Sequence, residues 1–287
     1  MRRRRQPRGV LINMSQYTGN FQMRNEVKTA AVRVPAILAT GVLVAGTLAG
    51  CVSAPPTVVP AWGADLVGVT QYNRVVSFNH GAPGTFETSV AISGLAAGES
   101  VVAVDYRPSD GKLYALGSAG AIYLLDWRTG KLSAHAQLSG SGSSALDGNV
   151  FDIDFTADGS SLHVVSDAGQ HLAVNPETGA VTVLPAFDAA NKIVAAAYTT
   201  TANGAFANTL YLLNNVKGIE IESLPGNADK PVSVGTLTGS FGRYSGFDIL
   251  GNEASGVAYA ALSIPDSTQS KLYAIQLGAG AGKSYGN

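Results

Sequence analysis

The chain has 287 residues, 46% of them hydrophobic and only 14% charged, against roughly 25% charged in an average soluble domain, which excludes a disordered, highly charged protein. Thirty-four glycines and 12 prolines favour tight turns over long helices and argue against an all-helical bundle. The formal net charge of −1 hides an asymmetry: eight of the 19 basic residues but only Glu26 of the 20 acidic ones precede Cys51. The remainder carries a net −8 and lacks the broad positive field that nucleic-acid binding requires, so no nucleic-acid partner is expected.

The N-terminal segment reads as an address. Arg24, Lys28 and Arg33 precede a 15-residue apolar run, Val34–Leu48, which is too short to span a bilayer comfortably and matches the charged and apolar regions of a secretory signal. The run ends in Leu48-Ala49-Gly50-Cys51, which resembles a bacterial lipobox, where small residues precede a cysteine that is lipidated on its thiol. That resemblance implies a signal peptide over 1–50, cleavage before Cys51, and a mature chain of 237 residues held to a membrane through Cys51. Met23 opens a signal peptide of ordinary length and is the expected true start; Arg2–Arg5 and Arg8 stand too far upstream to serve as an export motif. Residues 51–64, with Pro55, Pro56 and Pro60, form an anchor and extended tether. Val52 is not the aspartate associated with inner-membrane retention, so outward sorting is allowed. Cys51 is the only cysteine, which excludes an intramolecular disulfide and a two-cysteine metal site.

Residues 65–287 repeat. Leu66–Asn79, Leu113–Asp126, Leu162–Asn175 and Leu210–Ser223 align without a gap, their starts 47, 49 and 48 residues apart, and Val257–Leu262 with Lys271–Gln276 is a fifth, interrupted copy. Each copy reads as two short strands around a polar turn such as Gly117–Gly120 or Ser166–Gly169. Strand-like pieces precede the hairpins at Val101–Tyr106, Val150–Phe155, Ile193–Tyr198 and Gly246–Ile249, and others follow at Lys131–Leu138, Ala180–Leu184 and Val232–Leu237. Four strands per period of about 48 predict an all-β fold, a β-propeller of about five four-stranded blades. The near-constant period argues against a β-sandwich. The first hairpin lacks a preceding strand, which Thr57–Trp62 or the C-terminal tail is expected to supply.

At the hairpins the chain resembles an uncharacterised bacterial family, domain of unknown function 4394. The resemblance rests on Asp65–Thr70 with Asn73–Phe78, Val104–Pro108 with Gly111–Gly117, and most specifically Val164–Gln170 with Leu172 and Asn175–Gly179; Val194–Tyr198, Thr209–Tyr211 and Gly246–Asp248 extend it to about Leu277. It implies an exported propeller-like domain and supplies no catalytic residues. Thr156, His163 and Ala173 depart from the family pattern, which has Asn-Pro at the first place and arginine at the other two.

The candidate site is a repeated carboxylate. Asp105, Asp154 and Asp248 hold one place in three blades, the fourth having Ala197, and Asp152 lies two residues from Asp154 on the same strand face. Meeting in a central channel, they would suit a hard cation such as Ca²⁺, or a hydrolase or lyase; the competing reading is that each accepts backbone hydrogen bonds and fixes a neighbouring blade. His80, His135, His163 and His171 show no metal-ligand spacing, no G-x-S-x-G elbow raises a serine triad, and Leu277–Ser284 has Leu277 in place of the first glycine of a phosphate loop and lacks its following helix. Tyr72, Trp62, Trp127, Phe206, Phe241 and Tyr244 fall near turns and are candidates for a stacking platform. The expectation is therefore a lipid-anchored binding scaffold of the cell envelope, facing the periplasm or the cell surface, with an envelope protein or polysaccharide as partner.

Overall fold

A computed structural model of the chain describes residues 8–9, 66–140, 145–199, 209–216, 219–224, 230–237, 239–250, 257–267, 269–277 and 283–285. Cys51, Trp62, Phe206 and the Thr57–Trp62 segment lie outside the described residues.

Five four-stranded sheets follow one another along the chain, each running from inner to outer strand in chain order. Blade one is Arg8–Gly9 (β1), Leu66–Thr70 (β2), Arg74–Phe78 (β3) and Phe86–Ala91 (β4). Blade two is Val101–Tyr106 (β5), Leu113–Gly117 (β6), Ala121–Asp126 (β7) and Lys131–Gln137 (β8). Blade three is Phe151–Phe155 (β9), Leu162–Ser166 (β10), His171–Val174 (β11) and Val181–Val183 (β12). Blade four is Ile193–Tyr198 (β13), Leu210–Asn215 (β14), Ile219–Leu224 (β15) and Val232–Leu237 (β16), and blade five is Ser245–Leu250 (β17), Val257–Ser263 (β18), Ser270–Gln276 (β19) and Lys283–Tyr285 (β20). The strand-like pieces read from the sequence are these strands to within a residue or two.

The burial gradient explains the blade. Inner and second strands are buried along their length, as in β9 and β13, because both sheet faces pack against neighbouring blades. Outer strands are the more exposed: β4 alternates between half-buried and exposed, and β8, β12 and β16 are mostly half-buried or exposed. The turns carry the residues that their backbone demands. Gly120 and Gly169 take positive φ in the β6–β7 and β10–β11 turns, and Asn73 does so between β2 and β3.

Ring closure differs from expectation. The C-terminal strand β20 pairs antiparallel with β19 as the outer strand of blade five, so the tail does not complete blade one. The inner position of blade one is taken by Arg8 and Gly9, paired parallel to Leu66 and Val67. Blades five and one close the ring through packing of Tyr259 and Ala261 against Leu66, Val76 and Phe78. Neither chain end needs to stitch a shared sheet for that contact to form, because apolar burial is non-directional.

Adjacent blades are also tied by backbone. In blade two the turn after β7 ends at Gly130, whose carbonyl accepts from Ser93 N at 2.9 Å while Ser93 O accepts from Leu132 N at 2.8 Å. Blade three repeats the device: Gly179 O accepts from Ser139 N at 2.9 Å and Ser139 O from Val181 N at 2.8 Å. Between the same two blades Arg107 donates to Glu177 and to Gly159 O at 2.8 Å, and within blade two it donates to Tyr114 Oη at 3.2 Å.

Candidate functional site

The repeated aspartates occupy the inner strands β5, β9 and β17 and are buried. Asp105 stands opposite Tyr114, Asp154 opposite His163, Ala197 opposite Tyr211 and Asp248 opposite Tyr259, so the aligned positions are structurally equivalent. The structure brings the carboxyls near enough for their charges to act on one another: Asp248 raises the pKa of Asp105, Asp152 and Asp154 alike. Burial is the larger cause and holds all three well above the usual carboxylate range, partly offset by the backbone N–H groups that they accept.

Those N–H groups define what the carboxyls do. Asp105 Oδ2 accepts from Phe155 N of blade three at 2.9 Å, and Oδ1 from Tyr106 N at 2.6 Å. Asp152 Oδ2 accepts from Ala196 N of blade four at 3.1 Å and Oδ1 from Ile153 N at 3.0 Å. Asp154 accepts from the backbone of Tyr198, also in blade four. Where the repeat has Ala197, the tie comes from the other side: Ser245 Oγ of blade five donates to Val194 O at 2.8 Å. Asp105, Asp152 and Asp154 are thus inter-blade ties, each accepting from an inner-strand N–H of the next blade. Among the described residues, no three His, Cys, Asp or Glu side chains converge as a metal-ligating set. A cation such as Ca²⁺ would have to compete with backbone donors for the oxygens of Asp105 and Asp152.

A second polar cluster sits between blades three and four, where the sequence showed no metal spacing and left the relation of two histidines open. His163 pairs with Ala173 and Val165 with His171 in the β10–β11 register, which sets the two imidazoles diagonally on one face. His163 Nδ1 lies 3.0 Å from His171 Nε2 and 3.1 Å from Tyr198 Oη, and His171 stacks on Phe187 with centroids 4.7 Å apart. Burial depresses both rings, to about 3 for His163, where the second ring adds to the effect, and to about 4 for His171. Both are therefore neutral at physiological pH.

The aromatic candidates do not form one platform. Tyr72 is exposed, whereas Phe241 and Tyr244 pack against the core shared by blades four and five. Trp127 lines a groove of about 400 Å³ on blade two together with Tyr106, Leu113, Leu124, Arg128 and Lys131.

These features define a class before any relative is considered: a five-bladed β-propeller in which buried carboxyls of inner strands join neighbouring blades. Residues 74–287 match the family described as Domain of unknown function (DUF4394), and the chain belongs to that family. Among curated proteins no match is found. Of solved structures, a candidate 6-phosphogluconolactonase from Bacteroides uniformis is similar at 16% identity and a TM-score of 0.39, with 77% of this chain and 69% of that chain covered. A protein of unknown function from Bacteroides thetaiotaomicron is similar at 13% identity and a TM-score of 0.45, with 70% of this chain and 56% of that one covered. At these identities and scores neither bears on what the chain does.

Proposed function

We propose that the protein is an exported, lipid-anchored propeller that binds a component of the cell envelope without transforming it. One observation carries this reading. The repeated constellation with catalytic potential, Asp105, Asp152, Asp154 and Asp248, is buried, and the oxygens of Asp105 and Asp152 serve as acceptors between blades. A glycoside hydrolase needs two carboxyls flanking a substrate bond, one of them ionised as nucleophile or base. Carboxyls held by burial above their usual range and engaged by backbone N–H groups suit architecture better.

Passing envelope polysaccharide and envelope protein fractions over the immobilised protein tests the reading. Retention of one fraction with its chain length unchanged is the expected result. Shortening of the retained glycan that disappears in Asp154→Asn would overturn it in favour of a hydrolase.

The anchor half of the proposal rests on the Leu48–Cys51 motif and the apolar run before it. Processing before Cys51 removes Arg8 and Gly9, which cover the inner edge of β2, so a mature chain has to close that edge with other residues. Expression of the full chain in a bacterium is expected to give a membrane-bound product whose N-terminal residue is a lipidated Cys51. Cys51→Ser should leave it in the soluble fraction; an unprocessed, membrane-free wild-type chain would contradict the anchor.

A further inference from the structure

We infer that the blade-two groove between Tyr106 and Trp127 is a binding site for the carboxylate-bearing sugar of an anionic glycan. This deepens the binding reading above and rests on it. Two residues lining the groove each bury a polar atom, Tyr106 Oη and Trp127 Nε1, that has no hydrogen-bond partner among the described residues. Such atoms are rare in folded proteins because each forfeits its hydration, and they require an explanation of their own. Here they belong to neighbouring side chains. The indole N–H lies close enough to Tyr106 to act on its phenol, yet outside hydrogen-bond geometry, and the Arg128 charge acts on that same hydroxyl. Two donors therefore lie side by side within the fields of the Arg128 guanidinium and, opposing it, the Asp126 carboxylate.

The charge around it is positive. Lys112, Arg128 and Lys131 are exposed on the groove wall. Lys112 is shared with Asp110 at 3.8 Å, but neither Arg128 nor Lys131 makes an ion pair among the described residues. The one acid in the lining, Asp126, is occupied by its own turn: it accepts from Arg128 N at 3.0 Å, and its bonds to Thr129 help hold its pKa below the usual range. Arg128 is already posed, its guanidinium 4.2 Å from the centroid of the Trp127 ring. On a chain whose body is net acidic, this local excess of cations is a selective feature.

The remaining wall decides between a bare anion and a sugar acid. Leu113, Leu124 and Leu125 line the groove alongside the indole, giving an apolar surface that a phosphate ion does not use and the C–H face of a pyranose does. A volume of about 400 Å³ accommodates more than one sugar ring. A small rotation of the Trp127 side chain that uncovers the two buried donors lets a carboxylate oxygen accept from Trp127 Nε1–H and Tyr106 Oη–H together while its charge faces Arg128 and Lys131.

Trp127 is one of two tryptophans, so a full-length Trp62→Phe variant makes its fluorescence report on the groove alone. Titration with an oligomer of galacturonate is expected to give a saturable change; the neutral galactose oligomer of equal length is expected to give none. Arg128→Ala with Lys131→Ala, both exposed and not expected to disturb folding, should weaken the uronate at least about tenfold. Trp127→Phe, followed by calorimetry, should weaken it as well by removing the N–H while keeping the ring. Absence of saturation by the uronate, equal competition by inorganic phosphate, or unchanged affinity in the double variant would each overturn the assignment. If the pocket alone is wrong, the immobilised double variant still retains its envelope fraction; if the binding reading is wrong, the wild type retains none.

Discussion

Gly179→Ala is expected to lower the unfolding free energy by about 3 kcal/mol, whereas Gly98→Ala costs about 1 kcal/mol, although both glycines take a similar left-handed backbone. Gly179 has φ 73° and Gly98 φ 80°. A Cβ on Gly98 meets nothing within 4 Å, so alanine there suffers only the conformational strain. A Cβ on Gly179 would fall inside the Gln137 carbonyl oxygen of the neighbouring blade, with the Gln137 N and C atoms close behind. Backbone cannot step aside as a flexible side chain can. The third turn of blade three must then draw back from blade two, breaking the Ser139 N to Gly179 O and Val181 N to Ser139 O bonds at about 1 kcal/mol each. Urea unfolding measures both variants; equal midpoints would show that the close approach of the two blades contributes nothing.

Acid should weaken the blade three–four contact through His163 and His171. Both rings have folded-state values below the ordinary 6.5, at about 3 and about 4. The two rings in the unfolded chain therefore take up protons between pH 6.5 and 4 that they refuse in the folded chain, and their contribution to stability must fall as pH falls through that window, against the opposite contribution of the raised aspartates. At about 1.4 kcal/mol per unit, one ring accounts for about 3 kcal/mol by pH 4. His171→Phe preserves the stack on Phe187 and leaves His163 its contact with Tyr198 Oη. It should remove roughly one of two protons from the slope of unfolding free energy against pH. An unchanged slope would mean that the imidazoles are hydrated in solution.

The propeller was legible because its repeat is nearly gap-free: hairpins starting at Leu66, Leu113, Leu162 and Leu210 impose both the period and the strand pairing. What escaped were strands without that pattern. β4, Phe86–Ala91, alternates between half-buried and exposed on an outer edge and carries Glu87 and Thr88, so it gives little apolar signal. β20, Lys283–Tyr285, follows a glycine-rich stretch that reads as tail. The aspartate repeat was visible, but its partners were not, since Phe155 N lies 50 residues from Asp105 and Ala196 N 44 from Asp152. The histidine pair depended on a diagonal register that a turn of four residues does not declare. Trp127 stood out as an aromatic beside a turn; Tyr106, at the end of an inner strand, becomes its neighbour only once the blade is folded.

The account turns on the aspartates being ties between blades and not ligands for a cation. Thermal unfolding of the purified protein at about pH 5 and about pH 8, with and without millimolar Ca²⁺, tests it directly, because a cation that prefers the folded state must raise the melting temperature. Carboxyls raised in the folded state bind protons that the unfolded chain has released. Their contribution is complete below the ordinary carboxylate range near 3.8 and is lost as pH climbs through the raised values. The account predicts no Ca²⁺ shift at either pH, and a shallower decline toward alkaline pH in Asp154→Asn, which removes a carboxyl that repels Asp105 and Asp248. A melting temperature that rises with Ca²⁺, returns on chelation and no longer responds in Asp154→Asn would contradict it.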